Sequence, residues 1–344
     1  MTKRKLRVAV LMHAHLAPPE SLDGLTEKQV NDIKQELDVC TTLRTLGHEA
    51  IQVPVVDELA PIRRVLKDHK PHLAFNLLTH FHDAGIYDSA VVSWLELMKQ
   101  MYTGCNPRGL LAANDKALFK KVLAYHRIRA PRFFVAPRGK RLPRLPKGLR
   151  WPLFVKSRSE HASTGISQAS IVHDLDQLQS RVTYIHEAVG TGALCEEYIE
   201  GRELTVGVLG NKRVEISPIW ELFMDDLPAG VANIATSRVK WDPEYQRKIG
   251  LRTGPAEDLD ASTEERIRRT ARRIHRAVGL SGYSRIDMRM DADGQVWILE
   301  ANPNPNLCFG EDFAESFERL GYGYPELIQK ILNLGLRYEA PWMG

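Results

Sequence analysis

The residues best suited to chemistry converge on one stretch, Ser284–Asn306, SRIDMRMDADGQVWILEANPNPN. Asp293-Gly294 between two alternating apolar runs predicts a hairpin. With a two-residue turn there, Ala292 pairs with Gln295, Asp287 with Glu300, and Arg285 with Asn302. These four share one face, because strand side chains repeat every second residue. Ile286, Met288, Trp297, Leu299 and Ala301 then point into a core. A three-residue loop with a bulge would shift the pairing. Two carboxylates facing each other across a ladder repel unless something positive lies between them, either a divalent cation or Arg285. Two carboxylates with an amide oxygen are hard ligands that suit Mg²⁺ carrying a nucleotide phosphate.

The rest of the chain must position that hairpin. Its 344 residues allow two or three domains, and its net charge of +4 gives no strong case for nucleic acid or membrane. Cys40, Cys105, Cys195 and Cys308 form no CxxC and read as reduced thiols, which makes the expectation cytoplasmic. Strands over Leu6–Met12, Ala50–Val56, His72–Leu78 and Tyr102–Gly104 alternate with helices over Thr26–Leu46, Pro61–Lys70 and Ser89–Met101, predicting a parallel sheet in residues 1–112. His13/His15 and His80/His82 follow predicted strands. Without a third ligand of characteristic spacing, they read as loop or pocket histidines rather than metal ligands, and they can line a substrate site.

Asn114–His126 is predicted as a helix with Lys116 in its first turn, where the helix dipole disfavours a cation unless it serves something else. Lys156 ends a buried strand and feeds a small-residue loop, Ser157–Gly165. Backbone N–H groups and the Ser163 and Thr164 hydroxyls make that loop a reasonable phosphate-binding arrangement. An antiparallel meander follows Leu175–Val189, with Glu196, Glu197 and Glu203 on its strands. Asp225–Pro255 reads as a long loop containing Lys240. In the predicted helix Thr263–Leu280, Ile267, Ala271, Ile274 and Val278 form the buried stripe, and six arginines a solvated face.

The order of these parts resembles the ATP-grasp superfamily, and most of all the D-alanine–D-alanine ligases. It runs from the early lysine to the strand lysine with its loop, the Glu-Glu-Tyr-Ile strand, the lysine loop, then RxD and ExN. PHLAFNLL…WLELMKQMYTGCNPRGLLAANDK and GYSRIDMRMDADGQVWILEANPNP carry the likeness. The resemblance implies an α/β fold, α+β in its C-terminal part. A Rossmann-like domain (1–112) would precede two subdomains (113–190 and 191–344) that clasp ATP. It implies that Lys116 and Lys156 contact ATP, that Glu196 accepts from the adenine amino group, and that Glu197, Tyr198 and Ile199 border adenine. Glu203 would bind ribose. Asp287, Glu300 and Asn302 would hold two Mg²⁺, with Mn²⁺ as a substitute. Arg285 would steady the transferred phosphoryl group, and Lys240 would touch the γ-phosphate. The chemistry so implied is an acyl phosphate made from a small carboxylate and displaced by an amine, by a protein that is often a homodimer in this family.

The sequence departs from those ligases where substrates would sit. Glu20 is only a gapped counterpart of the family's substrate glutamate. His161 stands in the loop where a glycine is expected. His80 and His82 occupy the histidine-glycine loop, and Asn306 in PNPN replaces a glycine at the oxyanion hole. The expected function is therefore a ligase for some other carboxylate and amine. The alternatives are a D-alanine–D-alanine ligase proper and an inactive ATP-binding regulatory or scaffold protein.

Overall fold

The computed structural model describes residues 5–160 and 163–343, so His161 lies outside the described residues. The chain opens with β1 (Arg7–His13), α1 (Glu27–Asp32), α2 (Lys34–Thr45), β2 (Glu49–Val55), α3 (Ala60–Asp68), β3 (Leu73–Asn76) and α4 (Asp88–Leu97). β1 is central and pairs parallel with β2 and β3, giving the expected Rossmann-like sheet. The helix expected over Thr26–Leu46 is two helices. A Thr26/Gln29 capping box starts α1, and Ile33 leaves the helical region before α2. Tyr102 makes only an isolated bridge to Ala74 in place of the expected short strand.

Two helices then connect to the next sheet. α5 (Pro107–Asn114), which the sequence reading passed over, starts at a proline behind the Asn106 cap. α6 (Lys116–Tyr125) is capped by Asp115, whose side chain accepts from the Ala117 and Leu118 N–H groups. The second sheet is antiparallel and ordered β4-β7-β5-β6, from β4 (Phe133–Ala136), β5 (Leu153–Ser157), β6 (Ile171–Val172) and, after α7 (Leu175–Tyr184), β7 (Ala193–Glu197). The passage to the third sheet runs through Tyr198–Gly201. Gly201 takes φ +142°, and a Cβ there would meet the Met290 carbonyl oxygen.

The third sheet contains β8 (Arg202–Gly210) and β9 (Val214–Met224). The segment expected to be one long loop holds α8 (Ser237–Trp241), α9 (Pro243–Lys248) and an edge strand, β10 (Leu251–Pro255). α10 (Ala261–Val278) buries the predicted stripe. Arg266 and Arg273 on its other face donate to the carbonyls of Gly294 (2.7 Å) and His126 (2.8 Å). β11 (Tyr283–Met290) and β12 (Val296–Asn302) complete the order β10-β9-β8-β11-β12, followed by α11 (Asp312–Glu318) and α12 (Tyr324–Leu336). No described helix is long and apolar enough to cross a membrane.

Hydrogen bonds tie the N-terminal part to the segment after β12. Asn304 Nδ2 donates to the Leu78 carbonyl (3.0 Å), Leu307 N–H to Gln35 (2.9 Å) and Phe309 N–H to Asp38 (2.9 Å). Within the first part, Asp88 is 3% exposed and accepts from Asn114 Nδ2 at 2.7 Å, joining the start of α4 to the end of α5.

Burial pushes the Asp88 carboxyl up to about 7 against the pull of Asn114. The folded protein then keeps a proton that the unfolded chain releases near pH 4, so this group lowers stability as pH rises from about 4 to about 7. Asp88→Asn cannot ionise. It should match the wild type near pH 4 and exceed it at pH 8 by roughly 2–4 kcal/mol, as read from urea unfolding at both pH values.

Candidate active site

The predicted carboxylate pairing is present. Arg285 faces Asn302 and Asp287 faces Glu300. It is reached by two compensating irregularities. The turn is a three-residue loop closed by Asp291 N–H to the Gln295 carbonyl, with Gly294 at φ +70°. Pairing therefore runs one residue out of the expected register, Met290 with Val296 and Met288 with Ile298, until a bulge at Leu299 restores it. The expected core positions change accordingly. Ile298 is buried, Leu299 lines the cleft, and Trp297 is partly buried with its indole N–H on Asp291 Oδ2 (2.8 Å). Ile286, Met288 and Ala301 are buried as expected.

The cleft above this hairpin brings together Lys116, Lys156, Ser163, Thr164, Glu196, Glu197, Tyr198, Ile199, Glu203, Lys240, Asp287 and Glu300. Its floor is a chain of buried charges. Arg285 lays its guanidinium on Asp287, with Nε to Oδ1 at 2.7 Å and Nη2 to Oδ2 at 2.8 Å. Lys116 Nζ donates to the Glu160 carbonyl (2.6 Å) and lies 3.5 Å from Glu300 Oε2. Glu196 is 2% exposed and holds two lysines, Lys156 at 2.8 Å and Lys120 at 2.5 Å. Burial works against every one of these charges. It prevails for Lys116 and Lys120, whose pKa values fall. For Lys156 and Glu196 the opposite charges prevail, raising the lysine and lowering the carboxyl. Burial likewise opposes the Arg285 charge, and Asp287 outweighs it.

Two residues of this floor lay outside the sequence reading, and both had a periodic signal. Lys120 is one helical turn beyond Lys116. Arg289 shares the strand face of Arg285 and Asp287, and it is 3% exposed. It donates to the Ile199 carbonyl (2.9 Å) and to that of Asn233, lies 3.7 Å from Glu203 and stacks over Tyr198. The roof is made of two loops that meet. Ser163 Oγ donates to the Ala235 carbonyl (2.7 Å), and Ser237 Oγ donates to the Ser163 carbonyl (2.6 Å). α8 follows and brings Lys240 over the cleft.

The donor set fits a metal that also binds phosphate. Among the described residues no three His, Cys, Asp or Glu side chains group to hold an ion. Asp287 and Glu300 supply two carboxylates, and Asn302 adds an amide oxygen that already accepts from Asn304 N–H (2.9 Å). Mg²⁺ bound by one or two carboxylates takes its other ligands from phosphates and water.

The expected substrate residues are less gathered. His80 stacks on His13 at 3.8 Å, with His15 5.7 Å from His13 on the carboxyl edge of β1 and β3. Burial pushes His13 down to about 4, and burial also lowers His80. His13 Nε2 accepts the Thr79 N–H (3.2 Å). His82 is exposed, takes φ +50° and sets its ring edge-on to Phe81, apart from that stack. Glu20 is exposed in the loop before α1. Asn306 is exposed, and its side chain accepts from Cys308 N–H (2.8 Å) within its own loop.

Glu196 is the counter-charge for two buried lysines, so Glu196→Gln should cost roughly 3–5 kcal/mol of unfolding free energy. Adding Lys120→Met should recover part of that loss. Urea unfolding of both variants checks this, and a double variant no more stable than Glu196→Gln would refute the shared-charge account.

The family model described as "D-ala D-ala ligase C-terminus" matches residues 122–333. A D-alanine–D-alanine ligase of Bordetella petrii is 30% identical over 247 residues, 72% of this chain and 71% of its own. An uncharacterized protein of Sinorhizobium fredii, y4sG, is 31% identical over 251 residues, 72% of this chain and 70% of its own. The fold of a Bacillus anthracis D-alanine–D-alanine ligase complexed with ATP superposes with a TM-score of 0.74 at 22% identity, covering 96% of this chain and 98% of that one. The chain belongs to the D-Ala–D-Ala ligase family and is an ATP-grasp enzyme, an ATP-dependent ligase that joins a carboxylate to an amine.

Proposed function

We propose that ATP lies in the cleft with its phosphates toward the hairpin, and that Asp287, Glu300 and Asn302 hold Mg²⁺, with Mn²⁺ able to replace it. The observation that carries this reading is the Asp287–Glu300 pairing on the floor of a cleft that also holds Lys116, Lys156 and Lys240. Lys116 and Lys156 meet phosphate oxygens, helped by the Ser163 and Thr164 end of the loop. Tyr198, Ile199 and the Glu197 backbone border the base, and Glu203 takes the ribose hydroxyls. Glu196 orders Lys120 and Lys156, and only an oxygen lone pair left over from them can accept from the adenine amino group.

Phosphoryl transfer calls for positioning and charge neutralisation more than for covalent help from the protein. The bound metal would supply further neutralisation of the β- and γ-phosphate oxygens. Lys240 approaches the γ-phosphate from the roof, and Arg285 lies beside the transferred group. The substrate carboxylate oxygen attacks the γ-phosphorus, the bond to the β-phosphate oxygen breaks, and ADP leaves. The amine then attacks the acyl carbon, phosphate departs with the former carboxylate oxygen, and the nitrogen loses a proton. Arg285 and the backbone N–H near Asn306 face the oxyanion of that step.

The carboxylate and amine are proposed to differ from two D-alanines. The support is the His13–His80 stack and the exposure of Glu20 in the loop before α1. The names of the relatives favour the D-alanine pair itself as the second reading. A homodimer is proposed on the resemblance alone. The test is phosphate release from Mg·ATP over panels of carboxylates and amines, with amide product identified by mass. D-alanine alone giving dipeptide at full rate would establish the second reading, and ATP binding with no turnover on any panel would establish a non-catalytic protein. On the best pair, Glu300→Gln should keep its thermal midpoint and lose roughly 10²-fold or more of kcat, whereas unchanged turnover would remove Glu300 from the metal site.

A further inference from the structure

The two carboxylates offered to a metal are already attended by protein cations. Both oxygens of Asp287 accept from the guanidinium of Arg285 in a fork, at 2.7 and 2.8 Å. Glu300 Oε2 has the Lys116 ammonium at 3.5 Å. Lys116 is 4% exposed, and Asp287 and Glu300 stand directly opposite each other. A forked guanidinium occupies one in-plane lone pair on each carboxylate oxygen and puts a full positive charge beside both, which lowers their attraction for a metal. Mg²⁺ and Arg285 therefore compete for Asp287, and a divalent ion approaching the bare hairpin also meets the two positive charges already held beside the carboxylates.

We propose that Arg285 and Lys116 stand in for the metal on Asp287 and Glu300 and so make metal binding conditional on nucleotide. Phosphate oxygens give both cations a new partner. When they transfer to it, the carboxylates are released to the ion, and the ion and the nucleotide enter as one event. In such an exchange the charges of ion and nucleotide partly offset each other as they enter, which lowers the cost of bringing either into the site. The exchange also leaves Arg285 against the transferred group, the place it needs for chemistry. The inference rests on the proposed assignment of Asp287, Glu300 and Asn302 as metal ligands.

The test uses the full chain and Mn²⁺, with free ion measured by electron paramagnetic resonance. Because ADP chelates Mn²⁺ by itself, the decisive arm has no nucleotide. There the wild type should bind Mn²⁺ weakly, and Arg285→Met should bind it about tenfold tighter or more, since one competing charge has gone. Lys116→Met should act in the same direction, and it decides the matter if Arg285→Met does not fold. Affinity for Mn²⁺ alone that is unchanged in the folded variants would overturn the inference. Asp287→Asn separates this from the metal assignment. If it leaves Mn²⁺ binding in the presence of ADP intact, the assignment itself fails. If it abolishes that binding while Arg285→Met changes nothing, only the exchange fails.

Discussion

Two carboxylates on opposing strands, about 5 Å apart, repel by roughly 3 kcal/mol at an effective dielectric of about 20. Asp287 and Glu300 are in that relation, and the organisation of the cleft follows from having to balance them. Arg285 comes from the next same-face position of β11, and Lys116 comes from the first turn of α6. Lys116 brings a neighbour one turn on, Lys120, whose charge needs Glu196. Glu196 in turn fixes Lys156 on the adjacent strand. The floor is thus one connected set of opposed charges drawn from α6, β5, β7, β11 and β12. Replacing any member leaves an unbalanced neighbour, and a buried ion pair of this kind contributes little net stability. Such a floor suits a polyanion with a divalent ion, the occupants proposed for it.

Such a floor works only if the sheets that carry it are held at fixed separation. Arg289 binds the Ile199 and Asn233 carbonyls and so joins β11 both to the passage between the sheets and to the roof. Gly201 lets that passage lie against Met290 without a side chain between them. The parallel sheet is fastened separately, through Asn304 to Leu78 and through Gln35 and Asp38 to the segment after β12. The same short exit that sets Asn302 therefore also sets the distance from the carboxylate hairpin to the histidine edge.

Much of this was legible in the sequence because it is local. The hairpin, the lysine at a helix start and the lysine at a strand end each follow from a few neighbouring residues. The register shows the limit of such reading. A two-residue turn predicted the Asp287–Glu300 pairing, which is present, but for a reason that does not hold. A longer loop and a bulge at Leu299 cancel, and the error survives only in the side chains between them, Trp297 and Leu299. A bulge is chosen by the packing of the sheet, which no local pattern contains. The same applies to α8 and α9, helices of five and six residues too short to show a period, and to α5, whose eight residues sit behind an Asn-Pro start. Lys120 and Arg289 were within reach of the period-3.6 and period-2 rules. Lone charged residues read as solvated until a partner is known.

The two ends of the site differ in kind. The hairpin end is dense in charged side chains, among them Arg285, Asp287, Lys116 and Glu300. At the carboxyl edge of β1 and β3, His13 is held neutral by burial and accepts the Thr79 N–H, and His80, lowered by burial, stacks on it. Protonating that pair would place two charges face to face 3.8 Å apart, with Asp83 the one acid that pulls both histidines upward. Near neutral pH the His13–His80 pair therefore presents ring faces and polar nitrogens. That edge is made by the placement of β1 against β3, which brings His13 and His80 face to face, and not by any spacing within one segment.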